Sequence, residues 1–330
     1  MEQKSRNNNA LTLIGSSSEI RIALLIILTS IIMSIVSSYF LRLGNIIDLL
    51  ESVAILSILA FCITFVALVG ELDLSVGSIM AMAAITTNVL LSSRGMPFSV
   101  ALLAGVVAGL IIGIINGTLT VIFGFPSLIV TLAMMSILRG IVYVITGNAP
   151  LPPYNSQAYF AVGNGEILNL IPVPVIISIA ILILISLMLF RTLFGRVIIM
   201  TGANRKAASI AGVNTRMVVF SMFAACGLFA GIAGMLLGSK LKSVFPEFGM
   251  GYELRAITAA VIGGVSLFGG RGSFIGSFLG AILIGLIFNI IDLLALDPYW
   301  QYVVIGLMVL IAVLSDKLVY NISMRRRGTG

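Results

Sequence analysis

Apolar runs of roughly 20 residues, the length that crosses about 30 Å of hydrocarbon as a helix, follow one another along almost the whole chain. A lipid-exposed backbone must satisfy every amide and carbonyl internally, and the runs lack the period-2 alternation of barrel strands. The expected fold is therefore an all-α, polytopic membrane helical bundle. Composition agrees, since 59% of the 330 residues are hydrophobic and 9% charged, too little polar surface to coat a soluble globule.

Cutting at charges, prolines and polar clusters predicts about ten transmembrane helices, at 20–41, 46–69, 74–91, 98–121, 128–145, 172–190, 217–238, 254–268, 273–295 and 299–319. The eighth is short. The first follows a weakly basic N-terminus, as a signal sequence would, but runs on to Leu41 without a convincing small-residue cleavage site and is expected to be retained. The chain then divides into an N-terminal tail (1–19), a transmembrane domain (20–320) and a basic C-terminal tail (321–330).

With both tails cytoplasmic, most basic residues, including those of the 191–216 loop, fall inside, and only Arg42, Arg94, Lys240 and Lys242 fall outside. That asymmetry is the positive-inside pattern. Gly105, Gly109, Gly113 and Gly117 form one stripe, and Gly227, Gly231, Gly234 and Gly238 a second; small residues at such spacing let helix backbones approach closely. A weak internal similarity links 67–78 with 260–273, and the predicted topology puts both stretches on one side.

The stretch Val69-Gly-Glu-Leu-Asp-Leu-Ser-Val-Gly-Ser78 places two carboxylates between apolar runs. In one reading it lies at the inner boundary, where Asp73 or Ser75 caps the third helix. In the other it is a break inside the bundle, with Glu71, Asp73, Ser75 and Gly77 facing a pathway or partner. Arg139 and Arg255 are candidate partners for these carboxylates, and Asn88, Asn116 and Asn289 are candidates for interhelical bonding, Asn116 also for a pore position.

The segment 194–220 is basic and free of acidic residues. Arg205 to Ala211 is expected to form a short amphipathic helix, with Gly202 and Asn204 before it and Gly212 after it as start and stop signals; a plain basic loop accounts for the charges equally well. There is no histidine, and Cys62 and Cys226 stand alone in apolar runs, so no metal, haem or redox site is expected. No phosphate-binding loop or nucleophile elbow is present either. An enzyme is disfavoured, no cofactor or nucleic acid is expected, and a channel, a carrier and a permease driven by another subunit remain.

Taken together, GELDLSVGS (70–78), PSLIVTLAMMSILRG (126–140), FGR with GANRKAASIAGVN (194–214), and AAVIGGVSLFGGRGS (259–273) resemble the ribose-type permeases of bacterial ABC importers, in the branched-chain amino acid/ribose permease superfamily. The commoner family form of the first motif has a second glycine where this chain has Glu71. The resemblance implies an inner-membrane permease subunit moving a monosaccharide-class solute, without an ATPase site of its own. It implies three partners within the lipid bilayer's reach: a cytoplasmic ABC ATPase subunit, a periplasmic or lipid-anchored sugar-binding protein, and a second permease copy. It also makes Gly202, Asn204, Ala207, Ala208 and Gly212 parts of a coupling helix that docks on the ATPase. The rival reading is a self-standing secondary carrier or channel for a small polar solute.

Overall fold

The computed structural model describes residues 18–93, 95–151, 156–167, 170–311 and 314. Most of both expected tails, Arg94, and Pro152 and Pro153 of the long outer connection lie outside the described residues. The helices are α1 (Ser18–Val36), α2 (Leu43–Leu68), α3 (Val76–Ser93), α4 (Phe98–Val121), α5 (Ser127–Thr146), α6 (Gln157–Asn164), α7 (Val173–Arg191), α8 (Leu193–Ala203), α9 (Arg205–Ile210), α10 (Thr215–Leu241), α11 (Tyr252–Ile262) and α12 (Phe274–Leu293). A further apolar helix, α13, covers Trp300–Ile311. A two-stranded hairpin, β1 (Glu166–Ile167) and β2 (Ile171–Pro172), precedes α7.

Among the described residues seven helices are long and apolar enough to cross a membrane: α1, α2, α4, α5, α7, α10 and α12. The expected third span is α3, and the described part of the expected tenth is α13. The expected eighth span, 254–268, is only the 11-residue α11 followed by a turn, about 16 Å of rise, so it cannot cross the hydrocarbon alone. The 191–216 loop holds one more helix than the sequence suggested: α8, capped by Thr192, whose hydroxyl accepts from Gly195 N at 3.2 Å.

The interior is built around α2. From Val53 to Leu68 every residue of this helix is buried, so it runs apolar on all sides where a surface helix would show a stripe. It packs on α7, α10, α11 and α12, with Phe65 stacked on Phe229 of α10 at 5.5 Å and tilted against Phe274 of α12 at 4.7 Å. Thr64 and Ser277 hydroxyls meet at 2.6 Å near one end of the α2–α12 pair. Asn45 and Asn289 exchange two amide bonds, at 3.2 and 2.6 Å, at the other, where Lys240 also pairs with Glu51 at 2.7 Å.

The two glycine stripes face one another across the α4–α10 crossing. A Cβ on Gly109 would overlap the Gly227 carbonyl, one on Gly113 the Phe223 carbonyl, and one on Gly234 the Met80 carbonyl of α3. Backbones in direct contact are possible only without side chains there. Ser273 Oγ donates to Glu19 Oε1 at 2.5 Å, which puts the start of α1 at the same end of the bundle as the α11–α12 turn.

Because backbone cannot yield as a flexible side chain can, Gly113→Leu is expected to cost at least the ~1–3 kcal/mol typical of overpacking. Gly306→Leu, at a position where an added Cβ would meet nothing within 4 Å, is the control. Thermal unfolding in detergent should show a lowered midpoint for the first variant only; equal midpoints would count against the seam.

Candidate functional site: a helix break joined to a basic loop

The chain leaves helical geometry after Leu68. Gly70 takes the left-handed conformation (φ +76°), which a residue with a Cβ would resist, and the amides of Gly70 and Glu71 turn back onto Ala67 O (2.9 Å) and Val66 O (3.0 Å). Helix α3 starts at Val76. The intervening segment holds both carboxylates, and they have different environments.

Glu71 sits at the rim, its side chain 14% exposed, where Arg205 Nη2 donates to its Oε1 at 2.9 Å and to Val69 O at 3.1 Å. Asp73 is fully buried. Its Oδ1 accepts from Ser75 N (2.8 Å) and Ser75 Oγ (2.6 Å), and its Oδ2 from Asn116 Nδ2 (3.3 Å) and, weakly, Cys226 Sγ (3.6 Å). Asn116 Nδ2 also donates to Ser75 Oγ at 2.9 Å. Cys226 lies 11 residues into α10, about 16 Å of rise, so the Asp73 carboxylate is well inside the bundle.

The two sequence readings of this stretch thus divide between its two acids. Glu71 is at a boundary, whereas Asp73 belongs to an internal break that its carboxylate ties sideways to α4 and α10. Neither Arg139 nor Arg255 serves these carboxylates, contrary to expectation. Arg139 Nη1 donates to Pro246 O (3.1 Å) and Phe248 O (2.8 Å). Arg255 lies over the rings of Tyr252 and Phe288 and reaches Gln301 Oε1 at 3.4 Å. The partner of Glu71 is 134 residues away in sequence, in the basic loop. Of the three intramembrane asparagines, Asn116 and Asn289 bridge helices as expected, whereas the buried amide of Asn88 has no hydrogen-bond partner among the described residues.

That loop is anchored to the break by backbone. Gly270 N donates to Leu68 O at 2.9 Å, and a Cβ on Gly202 would overlap both of these atoms. The turn after α11, the end of α2 and the end of α8 therefore meet at one point, which puts the two similar stretches, 67–78 and 260–273, on the same side as the sequence implied. Gly77 is a second close approach: a Cβ there would overlap Gly249 O and the Glu253 carboxylate, so α3 begins seated on the segment before α11.

Of the start and stop signals expected around α9, Asn204 and Gly212 lie where the sequence placed them, whereas Gly202 sits inside α8 and serves a close approach to Leu68 and Gly270 instead. Asn204 caps α9 by accepting from Ala207 N at 3.0 Å, and Gly212 takes φ +85°. Ala207 is exposed. Ala208 is turned inward with 2% exposure, while Ile210 stands 81% exposed. Sequence reasoning passed over Ile210, although a single large aliphatic in Arg-Lys-Ala-Ala-Ser-Ile was the signal available. Glu71, Arg205 and Arg216 line a cavity of about 200 Å³ with Thr120, Val121, Thr215 and Val219. No group of three or more His, Cys, Asp or Glu among the described residues could hold a metal ion. What the arrangement provides is a direct contact between α9 and the helix break, through Arg205.

Residues 45–313 match the family described as branched-chain amino acid transport system / permease component. The ribose import permease protein RbsC of Bacillus subtilis is 38% identical over 289 residues, 87% of this chain and 89% of its own length. The L-arabinose ABC transporter permease protein AraH of Azospirillum brasilense is 34% identical, covering 87% and 83% respectively. The D-allose transport system permease protein AlsC of Escherichia coli is 33% identical over 90% of both chains. The pairing of a buried helix break with a basic capped loop is thus carried by a chain that belongs to the branched-chain amino acid transport system permease family.

Proposed function

We propose that this multi-pass membrane protein is the permease subunit of an ATP-binding cassette importer that carries a monosaccharide-class solute across the inner membrane, with ATP hydrolysed by a separate subunit. The observation that carries the reading is the contact set joining α8 and α9 to the break: Arg205 of α9 to Glu71 and Val69, and Gly202 of α8 against Leu68 and Gly270. A short exposed helix tied to the interruption that follows the most buried helix is the element through which an ATPase could bias two states of the bundle. The relatives named for ribose, L-arabinose and D-allose support the solute class.

In this reading residues 1–19 and 321–330 are cytoplasmic tails, 20–320 form the permease domain, and 191–216 form the coupling loop. The partners are a cytoplasmic ABC ATPase subunit, a periplasmic or lipid-anchored sugar-binding protein and a second permease copy. Ala208 serves from inside, packing α9 on its own chain, while Ala207 and Ile210 present the docking surface. Asp73, Ser75 and Asn116 hold the break, and Gly77 lets it seat against the segment before α11.

Full burial of an exposed Ile side chain stabilises an interface by about 1.5–3 kcal/mol. Ile210→Asp is therefore expected to reduce co-purification of the ATPase by about tenfold or more while leaving membrane insertion intact; undiminished co-purification would remove α9 from the interface. Ala208→Asp would test packing rather than docking.

Glu71→Gln keeps the shape but removes the charge facing Arg205. A pair this exposed contributes at most about 1 kcal/mol to stability, so the melting temperature should hardly move. The expected change is in coupling: ATP hydrolysis by the assembled transporter should be less dependent on solute-loaded binding protein. Identical stimulation in wild type and variant would reduce the pair to a surface contact. Solute transport by the purified chain in vesicles without any ATPase would overturn the importer reading itself.

A further inference from the structure

Helix α5 carries Arg139 between apolar residues, seven residues from its end at Thr146, about 10 Å of rise. An arginine at such depth costs about 2.5–3.5 kcal/mol on insertion scales, and only part of that is offset by the two backbone carbonyls that Nη1 reaches. Among the described residues its Nε and Nη2 have no hydrogen-bond partner. Arg139 lines a half-open groove of about 360 Å³ with Met135, Ser136, Tyr143, Met250 and Glu253, of which Ser136, Tyr143 and Met250 are exposed and the two charged groups half-buried.

Glu253 stands across this space. Its Oε1 accepts from Gly251 N at 3.2 Å and its other oxygen lies at the start of α3 beside Gly77. The two ion pairs found among the described residues are Arg205–Glu71 and Lys240–Glu51; Arg139 and Glu253 are each held by backbone instead of by one another. A guanidinium donor and a carboxylate acceptor therefore face a common space with bonding capacity left over, beside the hydroxyls of Ser136 and Tyr143. Two thioethers and the Tyr143 ring supply apolar surface.

We propose that this groove binds one neutral, polyhydroxylated ring during transport, with Arg139 donating to its oxygens, Glu253 accepting from its hydroxyls, and Met135, Met250 and Tyr143 against its C–H faces. Hydroxyls suit the space because each can donate to the carboxylate and accept from the guanidinium. One charge of each sign favours a neutral solute over an anion or cation. The volume is at the low end of the roughly 300–1,000 Å³ of sites for drug-sized ligands, which fits a single ring rather than a disaccharide. Two helices begin here, α3 from the break inside the bundle and α11, which is too short to cross the hydrocarbon; discontinuous helices of this kind line solute sites in other transporters. The inference rests on the importer reading and names where its solute is held.

The test uses the full chain, with Cys62 and Cys226 replaced by Ala and Ser136→Cys introduced, in membranes with its ATPase and binding protein. Thiol labelling at position 136 is followed with D-ribose, L-arabinose or D-fructose, and with sucrose as the disaccharide control. At least one monosaccharide should slow labelling by about threefold or more, as two-thirds occupancy requires, and sucrose should not. Separately, Arg139→Lys and Glu253→Gln should lower ATP-dependent monosaccharide uptake by about tenfold and alter the ranking among the three sugars, which a purely structural defect would not do. If wild type imports a monosaccharide but labelling is unprotected, or both variants import like wild type, the site is overturned. If wild type imports none while a monosaccharide still protects position 136, the site stands and the importer reading falls.

Discussion

A backbone that leaves helical geometry inside a membrane must have its polar groups satisfied by the protein, because hydrocarbon offers no partner. The segment between α2 and α3 meets that demand with a carboxylate. Asp73 accepts from the amide and hydroxyl of Ser75 and from Asn116, and the cluster is closed over by α4 and α10. A buried carboxyl group with several hydrogen bonds is tolerated where an unpartnered one would not be. Removing any of these partners leaves another buried polar group unmatched, so the break is specified as one conformation.

The glycine seam follows from the same demand. For Asn116 and Cys226 to reach a carboxylate between them, α4 and α10 must cross nearly backbone to backbone, which Gly109, Gly113 and Gly227 permit. The stripes are ordinary packing by their spacing alone. Their placement beside the break gives them a second consequence, since the crossing sets how far apart the partners of Asp73 stand.

Glu71 shows how a single side chain can tie the break to the loop. A glycine at that position could make no side-chain contact with α9, whereas the carboxylate here reaches Arg205. The pair, with Arg205 half exposed, adds little to stability, but it joins a basic helix of the 191–216 loop to the interruption between α2 and α3. Arg139 and Glu253 show the opposite arrangement, two half-buried ionisable groups that face a common groove without pairing.

The membrane class, the helical architecture, the caps of α9 and the family were all legible in the sequence, because hydrophobic run length, glycine spacing and cap chemistry act over a few residues and need no knowledge of the fold. The partners of Glu71, Arg139 and Arg255 were not, since those contacts span 134, 107 to 109 and 46 residues and depend on which helices adjoin. The brevity of α11 was hidden for a related reason: the residues after it are apolar enough to continue a span, yet Gly263, Gly269 and Gly270 form a turn whose Gly270 amide bonds to Leu68 of α2. Nor could spacing say that Ala208 turns in and Ile210 out. Local physics fixes what an element is, and only the packing of distant elements decides which of its polar groups find one another and which are left to face a solute.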